Sequence, residues 1–401
     1  MTSAKSVRVR AATEADRAAI VLLRETGFGM RYGPVELEEQ GRLFPVERSL
    51  VAVDGDQVVG HTVDITMNVT VPGLQTVRAC GVEGVAVAPT HRRRGILRAL
   101  FTTQHARAAA EGLPLAILTA SEATIYGRFG YETTIHDTVV RIDRRRAEFR
   151  ATTPDPGGVT ISTMEAAKSH LRQVYARWQQ RTPGAQERPD AKWALLFADP
   201  DRNRDGATSL YVLLHADGYA LYRRRYLDGR PTVVLWEMRA ITTEAHAALW
   251  RVLLGMDLVD TVEATLAEDD PLPYLLTDPR AVTLTRRGDA LWARVMDVPA
   301  ALTARSYRHD LDAVVAVHDP FRDAGGTFAL RVRDGIAACA PTSRTPDLTC
   351  DINVLGGLYF GAHRARDYAR AHRISVTGPM VLDDFDAAFA TERAPELGWF
   401  F

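Results

Sequence analysis

The run Val85-Ala86-Val87-Ala88-Pro89-Thr90-His91-Arg92-Arg93-Arg94-Gly95-Ile96-Leu97 sets an apolar strand, a loop of three arginines and a glycine, and a helix start in succession. A helical pattern then continues from Arg98 to Glu111. The free N–H groups of a first helical turn and the positive end of its dipole favour a dianionic pyrophosphate. Gly95 lets the backbone approach such a group with no Cβ in the way. Arginines at a helix N-terminus oppose the dipole, and a bound anion resolves that conflict. Two further stretches carry chemistry. Ala120-Ser121-Glu122-Ala123-Thr124-Ile125-Tyr126-Gly127-Arg128-Phe129-Gly130-Tyr131 follows a short apolar run. It therefore falls at the carboxyl edge of a sheet, where open α/β sheets place their ligands. The chain closes on Trp399-Phe400-Phe401. Chain ends usually fray, yet three exposed aromatics would cost roughly 1.5–3 kcal/mol each, so the tail is expected to dock.

These residues need elements to hold them. Val7–Arg10 reads as a short strand and Thr13 as the cap of a helix over about Glu14–Glu25. Leu50–Val53 and Val58–Val71 read as strands joined by the Asp54-Gly55 turn, and Val77–Val87 as a third. The helix after Gly95 keeps Leu97, Leu100, Phe101, His105 and Ala108 on one face. Leu115–Ala120 is a buried strand, Thr124–Arg128 a helical turn and Tyr131–Ile142 a last strand.

Over the whole chain, 401 residues hold two or three domains, and 46% apolar with 25% charged residues is an ordinary globular composition. A net charge of −1 gives no reason to expect nucleic acid or an anionic membrane as partner. Cys80, Cys339 and Cys350 are odd in number and without a Cys-x-x-Cys, so neither a disulfide framework nor a metal site is expected. Met1–Arg10 lacks a leader's apolar core and no run of about 18 apolar residues occurs, so a reducing cytoplasm is expected. The histidines are scattered, with His91 read as a surface residue and His105 as a core-edge residue.

The basic loop resembles the acyl-CoA motif of the GNAT superfamily of N-acetyltransferases, with Leu97 where that motif ends in glycine or alanine. The stretch Val82–Tyr131 is more specifically similar to the Eis (enhanced intracellular survival) family of aminoglycoside acetyltransferases. The likeness lies in Val85-Ala86-Val87-Ala88-Pro89, His91-Arg92-Arg93-Arg94-Gly95, and Ala120-Ser121-Glu122 leading to Ile125-Tyr126-Gly127-Arg128-Phe129-Gly130-Tyr131. The resemblance implies acetyl-CoA as co-substrate and no metal. Val85, Ala86 and Val87 would meet the pantetheine arm through their backbone. Arg92, Arg93, Arg94, Gly95, Ile96, Leu97 and Arg98 would hold the pyrophosphate, and Ser121 and Glu122 would lie beside the thioester. Tyr126 would protonate the departing thiolate, for which an ordinary tyrosine pKa near 10 is roughly matched. The plain alternative is an aromatic packed over a turn. The terminal carboxylate of Phe401 would be the general base. With a free pKa near 3.5 it would act through a water or with its pKa raised by burial.

The rest of the chain extends the resemblance. Arg144–Gly158 reads as a linker. Helices at Met164–Arg181 and Ala191–Phe197 follow, then strands at Leu210–Leu214, Tyr219–Tyr226 and Thr232–Ala240, a capped helix near Thr243 and a strand near Asp260. This is similar to a second GNAT unit, but Ile241-Thr242-Thr243-Glu244 stands where a phosphate loop would be, with no arginine or glycine. Strands at Leu291–Val298, Ala313–Val317, Thr327–Val332 and Ile336–Ala340, with helices at Ala300–Arg305, Val354–Phe360 and Leu382–Ala390, resemble a sterol-carrier-protein-like module. The expected fold is therefore α/β (α+β): residues 1–145 a catalytic GNAT domain, 146–290 a second one lacking the cofactor motif, and 291–401 the sterol-carrier-like domain. The implied activity is acetyl transfer to primary amines of polycationic small molecules such as aminoglycosides, held in a hydrophobic and acidic cleft between the first two domains. A homo-oligomer, hexameric by resemblance, is expected. A protein or peptide lysine N-acyltransferase and a non-enzymatic lipid-carrier or regulatory protein are the alternatives. Arg144–Arg146 and Arg223–Arg225 read as solvated faces or intersubunit contacts.

Overall fold

The computed structural model describes residues 7–378 and 380–401, so the leader reading of Met1–Ser6 lies outside it. Two compact units form. One joins the chain through Ile135 to Pro183–Lys192 and Ala290–Phe401; the other comprises His136–Thr182 and Trp193–Asp289.

In the first unit β1 (Arg8–Ala11) leads to a capped turn in which Thr13 and Asp16 bond each other's backbone, then to α1 (Arg17–Phe28). The helix therefore starts three residues later than the sequence pattern suggests. A second helix, α2 (Pro34–Leu43), had no strong apolar period to announce it, only Pro34 at its first position. Strands β2 (Ser49–Asp54), β3 (Gln57–Thr70) and β4 (Thr76–Val87) pair antiparallel in order. Helix α3 (Ile96–Ala110) returns the chain to β5 (Leu115–Leu118), parallel to β4. The one-turn helix α4 (Ala123–Tyr126) follows.

The second unit takes up β6 (Glu132–Asp143) from His136 onward. It holds β7 (Thr160–Ser162), α5 (Met164–Gln179), most of α6 (Asp190–Ala198), β8 (Tyr211–His215), β9 (Gly218–Leu227), β10 (Arg230–Ala240), α7 (Thr243–Gly255), β11 (Thr261–Leu266) and α8 (Leu272–Leu275). Its strands run in the order β6-β11-β10-β9-β8-β7, with Trp250 wholly buried beneath them. The segment read as a linker is instead packed structure. Phe149 bridges Leu276, Arg146 pairs with Asp278, and Arg150 caps the Tyr274 carbonyl.

Members of both arginine runs form ion pairs, with Arg145 and Arg146 on a solvated face as read and Arg223 buried. Arg145 pairs with Asp260, and Arg225 with Asp205 and Glu263. Arg223 is buried against Asp199 and the Thr208 carbonyl because strand alternation points it inward.

Strand β12 (Val282–Val295) ends in the first unit, where Trp292–Val295 pair antiparallel with β5. After α9 (Val298–Ala304) come β13 (Leu311–His318), β14 (Gly326–Arg333), β15 (Ile336–Pro341), β16 (Leu348–Asp351), α10 (Ile352–Leu358), α11 (Ala365–Arg370), β17 (Ile374–Val376) and α12 (Met380–Phe389). Five strands form the sheet β15-β14-β13-β16-β17. Strands β16 and β17 and helix α11 were not apparent in the sequence because each is short and carries no clear apolar period.

Candidate functional site

Strand β4 carries the first element of the site. Its parallel partner β5 covers it only over Ala79, Cys80 and Gly81. Beyond that point β4 bulges, with Thr62 of β3 lying opposite both Gly84 and Val85. Gly84 takes φ +61°, and its carbonyl meets Nδ1 of the buried His61 at 2.7 Å. The edge of Val85, Ala86 and Val87 that faces away from β3 is thus past the last β5 pair, and its polar backbone groups are available to an extended ligand.

Past β4, Arg93 and Gly95 both adopt left-handed backbone, φ +62° and +77°. The N-terminus of α3 has no side-chain cap, and a Cβ built on Gly95 would meet nothing within 4 Å. This open, uncapped turn fits a pyrophosphate. The seven loop residues divide by environment. Arg92 and Arg93 are exposed with no ion pair among the described residues, while Arg94 is engaged with Asp54 at 3.2 Å. Arg98 lies over the Phe321 ring at 5.2 Å. Ile96 packs its side chain in the core and Leu97 is partly buried, so both offer backbone only. His91 faces Asp54 at 3.4 Å. His105 is wholly buried on the Tyr131 hydroxyl at 2.8 Å, deeper than the core edge read from the sequence. At α7, in contrast, the Thr242 hydroxyl accepts the Ala245 N–H at 3.2 Å and Glu244 sits in the first turn. That helix start is filled and carries a negative charge.

Tyr126 ends α4. Its ring is buried among Phe101, Tyr131 and Trp292, with centroids 6.2–6.4 Å apart. Burial, and then the charge of Glu83, push its pKa up to about 12, above the ordinary value on which the sequence reading relied. Ser121 and Glu122 are exposed just before it. The turn after Tyr126 is held from the sterol-carrier side. Gly130 has φ +84°, where a Cβ would strike the Arg294 guanidinium. Arg294 donates to the Phe129 carbonyl at 2.6 Å and pairs with Asp319, both groups buried. Phe321 meets Phe129 edge-on at 5.0 Å.

The tail docks as expected, with one difference: Trp399 and Phe401 are buried but Phe400 is exposed. Its berth is a segment no sequence signal marked. Residues 184–187 zip onto the end of β3, where Gly184 N–H donates to Thr70 O at 2.8 Å and Thr70 N–H to Ala185 O at 3.0 Å. The Gln186 side-chain oxygen accepts from Gly398 N–H at 2.9 Å, and Trp399 Nε1 donates to Glu187 O at 2.9 Å. Arg188 donates to Gly398 O at 3.1 Å and Lys192 to Phe400 O at 3.0 Å. The main-chain oxygen of Phe401 itself accepts from the Thr119 hydroxyl, just past β5.

Glu83, whose charge acts on both Tyr126 and Lys192, pairs with Arg24 at 2.7 Å. Arg24 is flanked by the Tyr32 and Phe44 rings at 5.4 and 5.7 Å. Burial raises the Glu83 pKa against the pull of Arg24 and Lys192. Glu83 could have been found from the sequence, since it is the one carboxylate in the apolar run Val77–Val87. Arg24, Thr119 and Lys192 carry no such mark. Among the described residues no group of His, Cys, Asp and Glu is placed to hold a metal ion, and no helix is long and apolar enough to cross a membrane.

An acetyltransferase (GNAT) domain model matches residues 8–134, a second acetyltransferase (GNAT) domain model matches 184–305, and a sterol carrier protein domain model matches 298–398. N-acetyltransferase Eis of Mycobacterium bovis is 41% identical over 393 residues, covering 95% of this chain and 96% of its own length. The chain belongs to the Eis family of N-acetyltransferases. An uncharacterized N-acetyltransferase of Streptomyces avermitilis is 35% identical over 94% of each chain. The crystal structure of Eis1 from Mycobacterium abscessus superposes with a TM-score of 0.88 at 32% identity, over 98% of this chain and all of that one. As an Eis-family chain it is an N-acetyltransferase built of two GNAT domains followed by a sterol-carrier-like domain. GNAT acetyltransferases use acetyl-CoA.

Proposed function

We propose that this Eis-family enzyme transfers acetyl from acetyl-CoA to a primary amine of a polycationic small molecule such as an aminoglycoside. The amine attacks the thioester carbonyl, a C–N bond forms and the C–S bond breaks. Tyr126 gives its proton to the leaving thiolate, and the Phe401 carboxylate takes the proton of the new ammonium, directly or through a water. Arg92 and Arg93 neutralise the pyrophosphate over the amides of Gly95, Ile96, Leu97 and Arg98, with Arg94 held aside by Asp54. The β4 edge at Val85, Ala86 and Val87 carries the pantetheine arm, and Ser121 and Glu122 flank its thioester end. One observation carries the reading: the last residue is buried and its main-chain oxygen accepts from Thr119, at the carboxyl end of the strand that leads to Tyr126.

The test is thiol release from acetyl-CoA with kanamycin, spermidine and lysine-bearing peptides. Turnover with kanamycin and its loss on deletion of Phe401, with the near-UV spectrum retained, support the reading. Full activity in the deletion overturns the base assignment, and turnover with the peptide alone transfers the reading to protein acceptors. A homo-hexamer, proposed from the family resemblance, is checked by light scattering.

A further inference from the structure

The tail is held by two kinds of contact. Gln186 and Glu187 fix Gly398 and Trp399 through neutral hydrogen bonds, and Arg188 adds a charged one to the Gly398 carbonyl. Closer to the end, the hold passes to a single charge. Lys192 Nζ donates to the Phe400 carbonyl at 3.0 Å and lies over the Trp399 ring at 4.8 Å. Phe400 itself gives no anchorage, because its side chain is exposed. The last residue is therefore held on both sides, Lys192 bonding the peptide carbonyl before it and Thr119 its own main-chain oxygen.

The position of Lys192 is against local preference. It lies in the first turn of α6, where the helix dipole disfavours a cation. Residues 190–192, the first turn of that continuous helix, belong to the same compact unit as the tail. A lysine kept in an unfavourable place, with its ammonium over one tail ring and bonded to the next residue's carbonyl, points to a role in the tail rather than in the helix.

We infer that Lys192 is a positioning residue for the proposed reaction, holding the Phe400 carbonyl so that the Phe401 carboxylate stays against Thr119. The inference rests on the reading of Phe401 as the base. Lys192 touches neither acetyl group nor acceptor; it acts through the last peptide bond.

The groups around Lys192 set how this hold responds to pH. Glu83 faces it from β4, Arg24 from α1 and Arg188 from its own segment, while the tail contributes the Trp399 ring and the Phe400 carbonyl. Burial brings the Lys192 pKa down to about 8; Glu83 opposes that shift, and Arg188 and Arg24 add to it. Below pH 8 a charge-assisted bond grips the carbonyl; above it the amine is neutral and the grip weakens. Arginine in its place stays charged throughout.

The experiment compares the full-length chain with Lys192→Met and Lys192→Arg in the thiol-release assay with acetyl-CoA and kanamycin from pH 6.5 to 9.5. Lys192→Met is expected to lose at least tenfold in kcat at pH 7, with KM for acetyl-CoA within twofold. Lys192→Arg is expected to recover most of that loss. The ratio of wild-type to Lys192→Arg kcat should be level below pH 7.5 and fall above pH 8.5. In parallel, carboxypeptidase A should release Phe401 several-fold faster from Lys192→Met, followed by intact mass without any acceptor. Wild-type kcat and trimming rate in Lys192→Met, or a Lys192→Arg variant as impaired as Lys192→Met, overturns the inference. Should the wild type acetylate no amine, the proposed activity fails, and the trimming rate still decides whether Lys192 holds the tail.

Discussion

Tyr126 shows how an ordinary side chain acquires a specific proton affinity. Burial among aromatics and the nearby Glu83 carboxylate hold its proton more tightly than in water, so the phenol is fully protonated across the physiological range. Its replacement by phenylalanine keeps the ring packing and removes only the hydroxyl. Tyr126→Phe should lower kcat by about 10²-fold or more, the usual size of a general-acid contribution, with KM for acetyl-CoA little changed. Steady-state thiol release checks this. His61 offers a stability test. Buried between the Gly84 carbonyl and Ser49, its ring stays neutral down to about pH 3. The unfolded chain takes up that proton below about 6.5, so the unfolded state binds more protons and stability falls as pH drops from 6.5 toward 3. Between pH 6.5 and 5 this amounts to about 2 kcal/mol for one such group. Urea midpoints at pH 7 and 5 should show that loss in the wild type and a smaller one in His61→Gln.

At the scale of elements, the contrast between α3 and α7 is the instructive one. Both follow a strand, and both could present free amides. At α7 a threonine hydroxyl fills the first turn; at α3 Gly95 leaves it open beneath unpaired Arg92 and Arg93. The double variant Arg92→Ala/Arg93→Ala should raise KM for acetyl-CoA about tenfold or more, and the difference from wild type should shrink as salt is added. The turn behind Tyr126 is an element held from another domain. Arg294 reaches it only because Asp319 balances the buried guanidinium. Breaking such a pair costs about 3–5 kcal/mol. Asp319→Asn should therefore lower the unfolding midpoint clearly in a denaturant titration, whereas a change to a surface pair such as Arg308–Glu392 should shift it by less than about 1 kcal/mol.

At the scale of the molecule, the first compact unit is assembled from three separated parts of the chain. The sterol-carrier-like part supplies Arg294's counter-ion and the tail, and the short segment Pro183–Lys192 supplies the tail's berth. The last domain thus holds the Tyr126 turn and supplies the tail. Trp399→Ala should show this. Loss of its ring and of the Nε1 bond to Glu187 frees the tail, so kcat should fall at least tenfold. The thermal midpoint should fall by only a few degrees, because one buried ring is a small part of a 401-residue chain. Differential scanning calorimetry beside the kinetic assay measures both.

Local pattern was enough for much of this. An apolar strand ending at Pro89, an arginine loop, Gly95 and a long helix can be recognised because each depends on neighbours within a few residues. Tyr126 and the aromatic tail stood out for the same reason: their types are unusual for a turn and a chain end. What local pattern could not convey is contact between distant parts of the chain. Thr119, Lys192, Arg24 and Asp319 are ordinary residues in ordinary surroundings, and nothing in their spacing says which partner they meet. The pKa of Tyr126 and the burial of His105 and Arg223 likewise depend on what surrounds them in space. Chemical type and short-range periodicity were written in the order of residues; desolvation and long-range pairing, which turn those types into a site, were decided only when the chain folded.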